Sequence, residues 1–267
     1  MALTTVSSDR LSTNVKNTNF TSAEKQDLTN DILPLATQFG QSKNLILNGA
    51  FQIAQRGVSS NSSGYATVDR FEYRFGGTDE APTQTQADIT SGTPYELGFR
   101  KSYKIQNGNQ TSGAGASDNI YLRQRLEAQV IANSGWHYDD SNSFVTLQFW
   151  VKSSVAQNFY GYLRSEDGTL LLYPFETGSL TADTWTKVTK TIAGNASLTF
   201  DNNNLLGLEV VIAPFWGTDF TGSVSLNAWG AYGSGATRAP DYGSANDDWY
   251  LTNNATFEIT GVQLEVG

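Results

Sequence analysis

The last eleven residues, Phe257-Glu-Ile-Thr-Gly-Val-Gln-Leu-Glu-Val-Gly267, read as a strand whose apolar positions change step partway along. Phe257 and Ile259 share one face of an extended chain, and Val262, Leu264 and Val266 continue that face only if one extra residue is inserted at Thr260-Gly261. An insertion of that kind is a β-bulge, and glycine suits the backbone it requires. A chain with such a strand belongs to a sheet that buries one face, since a slip by one residue would turn every apolar side chain outward. The same alternation recurs in Val145, Leu147, Phe149 and Val151, in Ile120, Leu122 and Leu126, and in Leu208, Val210 and Ile212. Further strands are predicted over 45–54, 68–75, 100–106, 158–164, 185–193 and 224–232, separated by Gly, Asn, Ser and Asp clusters. Short strands of this number with no convincing helix predict an all-β, two-sheet antiparallel sandwich. The long polar stretches 76–98 and 233–248 read as loops, where binding residues concentrate.

Residues 1–43 follow another pattern, with no glycine before Gly40 and no tryptophan. Thr21-Ser-Ala-Glu24 fits a capping box, and 26–33 extends a short helix that Pro34 stops. A helix this short is marginal alone. The expected organisation is therefore a partly helical N-terminal arm, 1–43, and a sandwich, 44–267. Leu28, Ile32, Leu33 and Leu35 are the side chains expected to dock the arm onto a partner.

Composition removes several classes of function. With no cysteine there is neither a disulfide framework nor a thiolate metal site, and a single histidine, His137, leaves no multi-histidine centre. No cofactor fingerprint occurs, so no cofactor or metal is expected. Seventeen basic against 26 acidic side chains give a net charge of −9, which repels nucleic-acid phosphates. No run approaches the roughly 20 apolar residues of a membrane span, and the start lacks a basic run followed by an apolar core, so neither membrane insertion nor secretion is expected. His137 has no nucleophile elbow or oxyanion loop near it, and no motif selects a pair of carboxylates, so the chain does not read as an enzyme.

Asn48-Gly-Ala-Phe51 with Gln55-Arg-Gly57, then Val68-Asp-Arg-Phe71, Leu122 to Glu127, Val145 to Lys152, Trp185-Thr-Lys-Val188 and finally Gly261-Val-Gln-Leu-Glu265 stand in an order that carries a resemblance. Over nearly all of 44–267 the chain resembles the carbohydrate-binding-module-like jelly roll of bacteriophage tail fibres and other virion surface proteins. The resemblance implies a jelly-roll sandwich, a place on a virion surface after synthesis in a host cytoplasm, and self-association, most simply a homotrimer. Sugar-binding jelly rolls similar to it often hold a structural calcium through an acidic residue after the opening Gly-x-Phe and an aspartate in the last strand. Gln52 and Thr260-Gly261 stand at those places here and supply no carboxylate, leaving Asp139-Asp140 or Asp247-Asp248 as the alternative for a hard cation.

Six tryptophans and twelve tyrosines, several in polar contexts, point to recognition of neutral sugars, whose C–H faces stack on aromatic rings while carboxylates and amides bond the hydroxyls. The candidate glycan contacts are Trp136, Tyr138, Trp216, Trp229, Tyr232, Asp247, Asp248, Trp249 and Tyr250, with Tyr242 in the same stretch. Three functions compete: a tail fibre or receptor-binding protein displaying the jelly roll to host surface glycans and attached to other virion proteins through 1–43, a capsid or tail decoration that uses the fold for protein contacts, and a polysaccharide-degrading enzyme. The first is expected.

Overall fold

The computed structural model describes residues 44–232, 237–240 and 247–267. The expected arm, with Leu28, Ile32, Leu33 and Leu35, lies outside the described residues, as does Tyr242. In chain order the strands are β1 (Ser59–Ser60), β2 (Glu72–Gly76), β3 (Thr83–Asp88), β4 (Lys101–Gln106), β5 (Asn119–Glu127), β6 (Phe144–Ser153), β7 (Asn158–Ser165), β8 (Leu171–Ser179), β9 (Thr186–Ala193), β10 (Leu206–Trp216), β11 (Thr221–Gly222), β12 (Gly230–Ala231), β13 (Ala239–Pro240) and β14 (Thr256–Val266). They build two six-stranded antiparallel sheets, β1-β3-β4-β14-β6-β9 and β12-β8-β7-β10-β5-β2, and β11 and β13 add a small parallel pair. Among the described residues, helix is confined to single turns at Thr93–Glu96, Ala128–Ala132 and Asp248–Leu251 and a 3-10 turn at Thr218–Phe220. This is the all-β sandwich that the alternation predicts.

The first sheet obeys that alternation. Val145, Leu147, Phe149 and Val151 of β6 are fully buried between the sheets, beside Phe257, Ile259, Val262 and Leu264 of β14. The register of β14 against β6 shifts between Thr260 and Gln263, the bulge expected at Thr260-Gly261. Gly261 has a φ of 62°, and a Cβ there would lie 2.7 Å from the Phe99 ring, so both conformation and space require glycine.

The second sheet is buried on both faces. Every residue of β10 from Gly207 to Trp216 is buried, with Leu208, Val210 and Ile212 toward the main core and Glu209, Val211 and Ala213 on the opposite face. That far face is covered by the segment that follows β10: Phe220, Leu226, Tyr232 and Ala239 pack on a second apolar cluster made by Tyr160, Tyr162, Leu172, Val211, Ala213 and Trp216.

Four expectations need correction. The predicted strand 45–54 is not a strand: Asn48 and Phe51 have positive φ, and the segment instead bonds to β14 through Leu45 N to Leu264 O (2.8 Å) and Val262 N to Gly49 O (3.0 Å). Gly49 is needed for close approach, since a Cβ would lie 1.9 Å from Val262 O. The predicted strand 224–232 pairs only at Gly230–Ala231. The presumed loop 76–98 contains β3, whose alternating residues Gln84 and Gln86 are polar because they bond the neighbouring loops. The unpredicted β8 carries Pro174 and a continuous apolar run, both of which hide a period of two.

Candidate functional site

On the covered face of the second sheet, register places side chains in a grid. Glu72, Arg123, Val211, Tyr162 and Pro174 lie across β2, β5, β10, β7 and β8, and the next row is Arg125, Glu209, Arg164 and Leu172. The charged side of the grid is paired. Arg123 donates through Nε to Glu72 (2.8 Å) and through Nη1 to Glu209 (2.7 Å), and Arg164 Nη2 lies 3.0 Å from the other Glu209 oxygen and also meets Glu166. Arg125 completes the set at 3.5 Å from Glu209 and 3.7 Å from Glu72. Glu209 thus stands at the centre of a charged ladder across the sheet, between the arginines of β5 and β7. Burial alone would raise the Glu72 carboxyl, but the hydrogen bond and charge of Arg123, with Arg125 and Arg74 behind them, hold it below its ordinary value of 4.5.

The aromatic side of the grid depends on a bulge. The register of β10 against β5 shifts between Ile212 and Phe215, at Pro214, and this reverses the parity of the strand end. Phe215 consequently turns into the main core and stacks on Tyr250 at 4.0 Å, while Trp216 turns to the far face and stacks on Tyr121 (5.0 Å) and Tyr162 (6.1 Å). Arg238 lies over the Trp216 and Phe220 rings at 5.1 and 4.5 Å, and Arg164 over Tyr232 at 4.7 Å. Among the described residues, the buried donors Trp216 Nε1, Arg164 Nε and Arg238 Nε find no hydrogen-bond acceptor. Two buried acceptors beside Arg164, Glu166 Oε1 and Glu209 Oε2, likewise lack a hydrogen bond, although both form ion pairs with Arg164 Nη2.

Beside this cluster the covering segment leaves a cavity of about 350 Å3, floored by Leu172 and Pro174 and walled by Trp229 with Ser223, Ser225 and Thr237. Trp229 is half-buried, and its Nε1 donates to Ala193 O at 2.8 Å while Tyr173 packs edge-on at 5.4 Å. The ring is fixed in orientation before any ligand arrives. Asn227 N and Tyr232 N bond Pro174 O (2.8 Å) and Leu170 O (3.0 Å), which holds the cavity's outer wall to the sheet.

Of the residues expected to touch glycan, the structure brings Trp216 and Tyr232 together in the second cluster, while Trp229 packs against the main core and walls the neighbouring cavity. Three others, Trp136, Trp249 and Tyr250, are buried and are corrected. Trp249 and Tyr250 are fully buried, with Trp249 Nε1 donating to Thr256 O (3.0 Å) and Tyr250 Oη to Asp118 (2.8 Å), so their rings brace the sandwich. Trp136 is buried with its Nε1 on Ser143 O (3.3 Å), and Tyr138 packs beside it and edge-on to Phe200. Polar flanks mislead here, because Trp136, Trp249 and Tyr250 each carry their own polar atom inward to a partner. Asp248 is exposed in a helical turn, and burial with the charge of Asp248 raises the Asp247 carboxyl. Among the described residues no group of three potential metal ligands forms, and Asp140 accepts from Asn142 N as a turn residue. The opening carbonyls of Phe51 and Gln52 receive the Gln86 side-chain amide at 2.6 and 3.1 Å. Sequence reasoning missed Tyr121, Tyr160, Tyr162 and Arg164, which only strand register assembles.

No family model matches the chain, and no curated protein matches it. Solved structures similar to it include a protein of Bacteroides thetaiotaomicron provisionally described as sugar binding (12% identity, TM-score 0.47, covering 84% of this chain and 100% of that one). They also include the enzymatically active domain of tailspike protein 4 of bacteriophage CBA120 (10% identity, TM-score 0.42, 84% of this chain and 21% of that one). A third is the C-terminal family 22 carbohydrate-binding module of Clostridium thermocellum Xyn10B (10% identity, TM-score 0.38, 83% of this chain and 97% of that one).

Proposed function

We propose that the sandwich is a non-catalytic binding module for neutral saccharides, carried on a bacteriophage virion as a tail fibre or receptor-binding protein that attaches to host surface glycans. The observation that carries the binding part is the cavity walled by the oriented Trp229 ring with the hydroxyls of Ser223, Ser225 and Thr237, beside the aromatic cluster on the covered face of the second sheet. Sugar hydroxyls can bond the serine and threonine hydroxyls of the cavity wall, and indole is the surface on which sugar C–H groups stack. The virion setting rests on the sequence resemblance, with attachment through 1–43 and a homotrimer as its corollaries. The test is affinity: Trp229→Ala, folded though less stable for the loss of its packing, should bind a neutral host glycan about five-fold more weakly, equivalent to about 1 kcal/mol. Unaltered affinity in a folded variant would place the contacts elsewhere. One observation favours the second reading, a decoration protein that binds no sugar: the aromatic face is already covered by the chain's own segment after β10. A wild-type protein that binds no host glycan would establish that reading instead.

A further inference from the structure

We infer that the opposite sheet carries a second saccharide site, centred on Trp185 and independent of the Trp229 cavity. The turn before β9 and the loop after β3 stand on either side of a groove of about 360 Å3 over the outer face of the first sheet. Its floor is Glu258 of β14 and Lys152 of β6, which are Cα partners across the sheet. Trp185 walls one side, half-exposed, and Asp88 and Asp183 stand exposed at the rim. The loop approaches the indole edge at Gly92, where φ is 86° and a Cβ would come 3.1 Å from Cδ1.

The polar groups are oriented before any ligand arrives. Lys152 Nζ lies 3.1 Å from Glu258 Oε1 and 5.0 Å from the Trp185 ring centre, and the other Glu258 oxygen accepts from Ser102 Oγ at 2.9 Å. Lys101 Nζ pairs with Asp88 at 2.5 Å. Asp183 has no ion-pair partner among the described residues. The groove therefore offers an aromatic wall, one fixed ammonium donor and carboxylate acceptors whose lone pairs are only partly used. Neighbouring sugar hydroxyls each donate and accept, and such carboxylate–lysine pairs satisfy both functions at once. Asp88, Asp183 and Glu258 are balanced by Lys101, Lys104 and Lys152, so the groove has no cationic excess to hold a uronate or sialate, and with a net charge of −9 overall a neutral hexose is the ligand class that fits. The volume lies within the roughly 300–1,000 Å3 of small-molecule sites.

The test follows the tryptophan indole N–H signals of the full chain by NMR, assigned with single Trp→Phe variants, during titration with the methyl pyranosides of glucose, galactose and mannose and with glucuronate. The Trp185 signal should shift saturably with at least one neutral glycoside and not with glucuronate. Asp183→Asn, which keeps a residue tolerant of the 55° φ at that position, should weaken that response at least five-fold, and a folded Trp185→Ala should lose it. A Trp185 signal unmoved by all three neutral glycosides, moved equally by glucuronate, or insensitive to Asp183→Asn overturns the inference. A shift at Trp229 alone rejects the second site and leaves the first standing, and a shift at Trp185 alone does the reverse.

Discussion

At the residue scale, Glu209 is the most exposed to test because it is the least exposed to water. Its carboxylate is fully buried and shared by Arg123, Arg125 and Arg164, so Glu209→Gln leaves three guanidinium groups around a neutral amide. Breaking a buried ion network costs about 3–5 kcal/mol, which urea unfolding would read as a lower midpoint at unchanged slope. Glu72 adds a pH dependence. Its folded pKa lies below the ordinary 4.5, so the unfolded chain binds a proton more readily and the carboxylate's contribution is complete above that value and lost as pH falls through the folded one. Stability should thus decline as pH falls below the ordinary 4.5, and Glu72→Gln should flatten that decline. Gln86 has the opposite chemistry to a metal ligand: an amide donor meets two carbonyls, so Gln86→Glu should lower stability by about 1–3 kcal/mol, whereas chelators should leave the wild-type melting temperature unmoved. A chelator-dependent melt in the wild type would contradict this.

At the element scale, the terminal strand was legible because its irregularity is written in one short stretch of side chains. Gly261→Val should cost well over 1 kcal/mol, since it combines a positive φ with a clash against Phe99; thermal unfolding would measure it, and an unchanged midpoint would mean that the bulge can relax. The opening segment was not legible as what it is. Leu45, Ile46 and Phe51 are apolar and buried like strand residues, but the two positive φ values that bend the chain depend on contacts with β14 more than two hundred positions away. β10 shows a third case: Leu208, Val210 and Ile212 announce the strand, while the parity reversal at Pro214, which decides where Trp216 points, emerges only in pairing with β5. The same logic separates the site residues. Trp216, Trp229 and Tyr232 lie close enough in sequence to be read as a group, whereas Trp185, Lys152, Asp88 and Glu258 are drawn together by register alone.

At the scale of the whole molecule, an aromatic excess could call for burial between subunits, and the fold meets that need within one chain. The rings fill a second cluster on the far face of one sheet and the ends of the main core, so they need no subunit interface for burial. The trimer then rests on the resemblance to phage fibres, and light scattering that returned a monomer would remove it. Deleting 1–43 should leave 44–267 folded, because every described strand lies between Ser59 and Val266, and should abolish incorporation into particles. Normal copy number on particles would place attachment in the sandwich. The central claim is that the sandwich binds neutral saccharides, and the most direct measurement is binding of the full chain to an array presenting both neutral and anionic glycans at physiological salt. Selective retention on neutral glycans is the predicted result, and retention on none, or on anionic glycans alone, would contradict it.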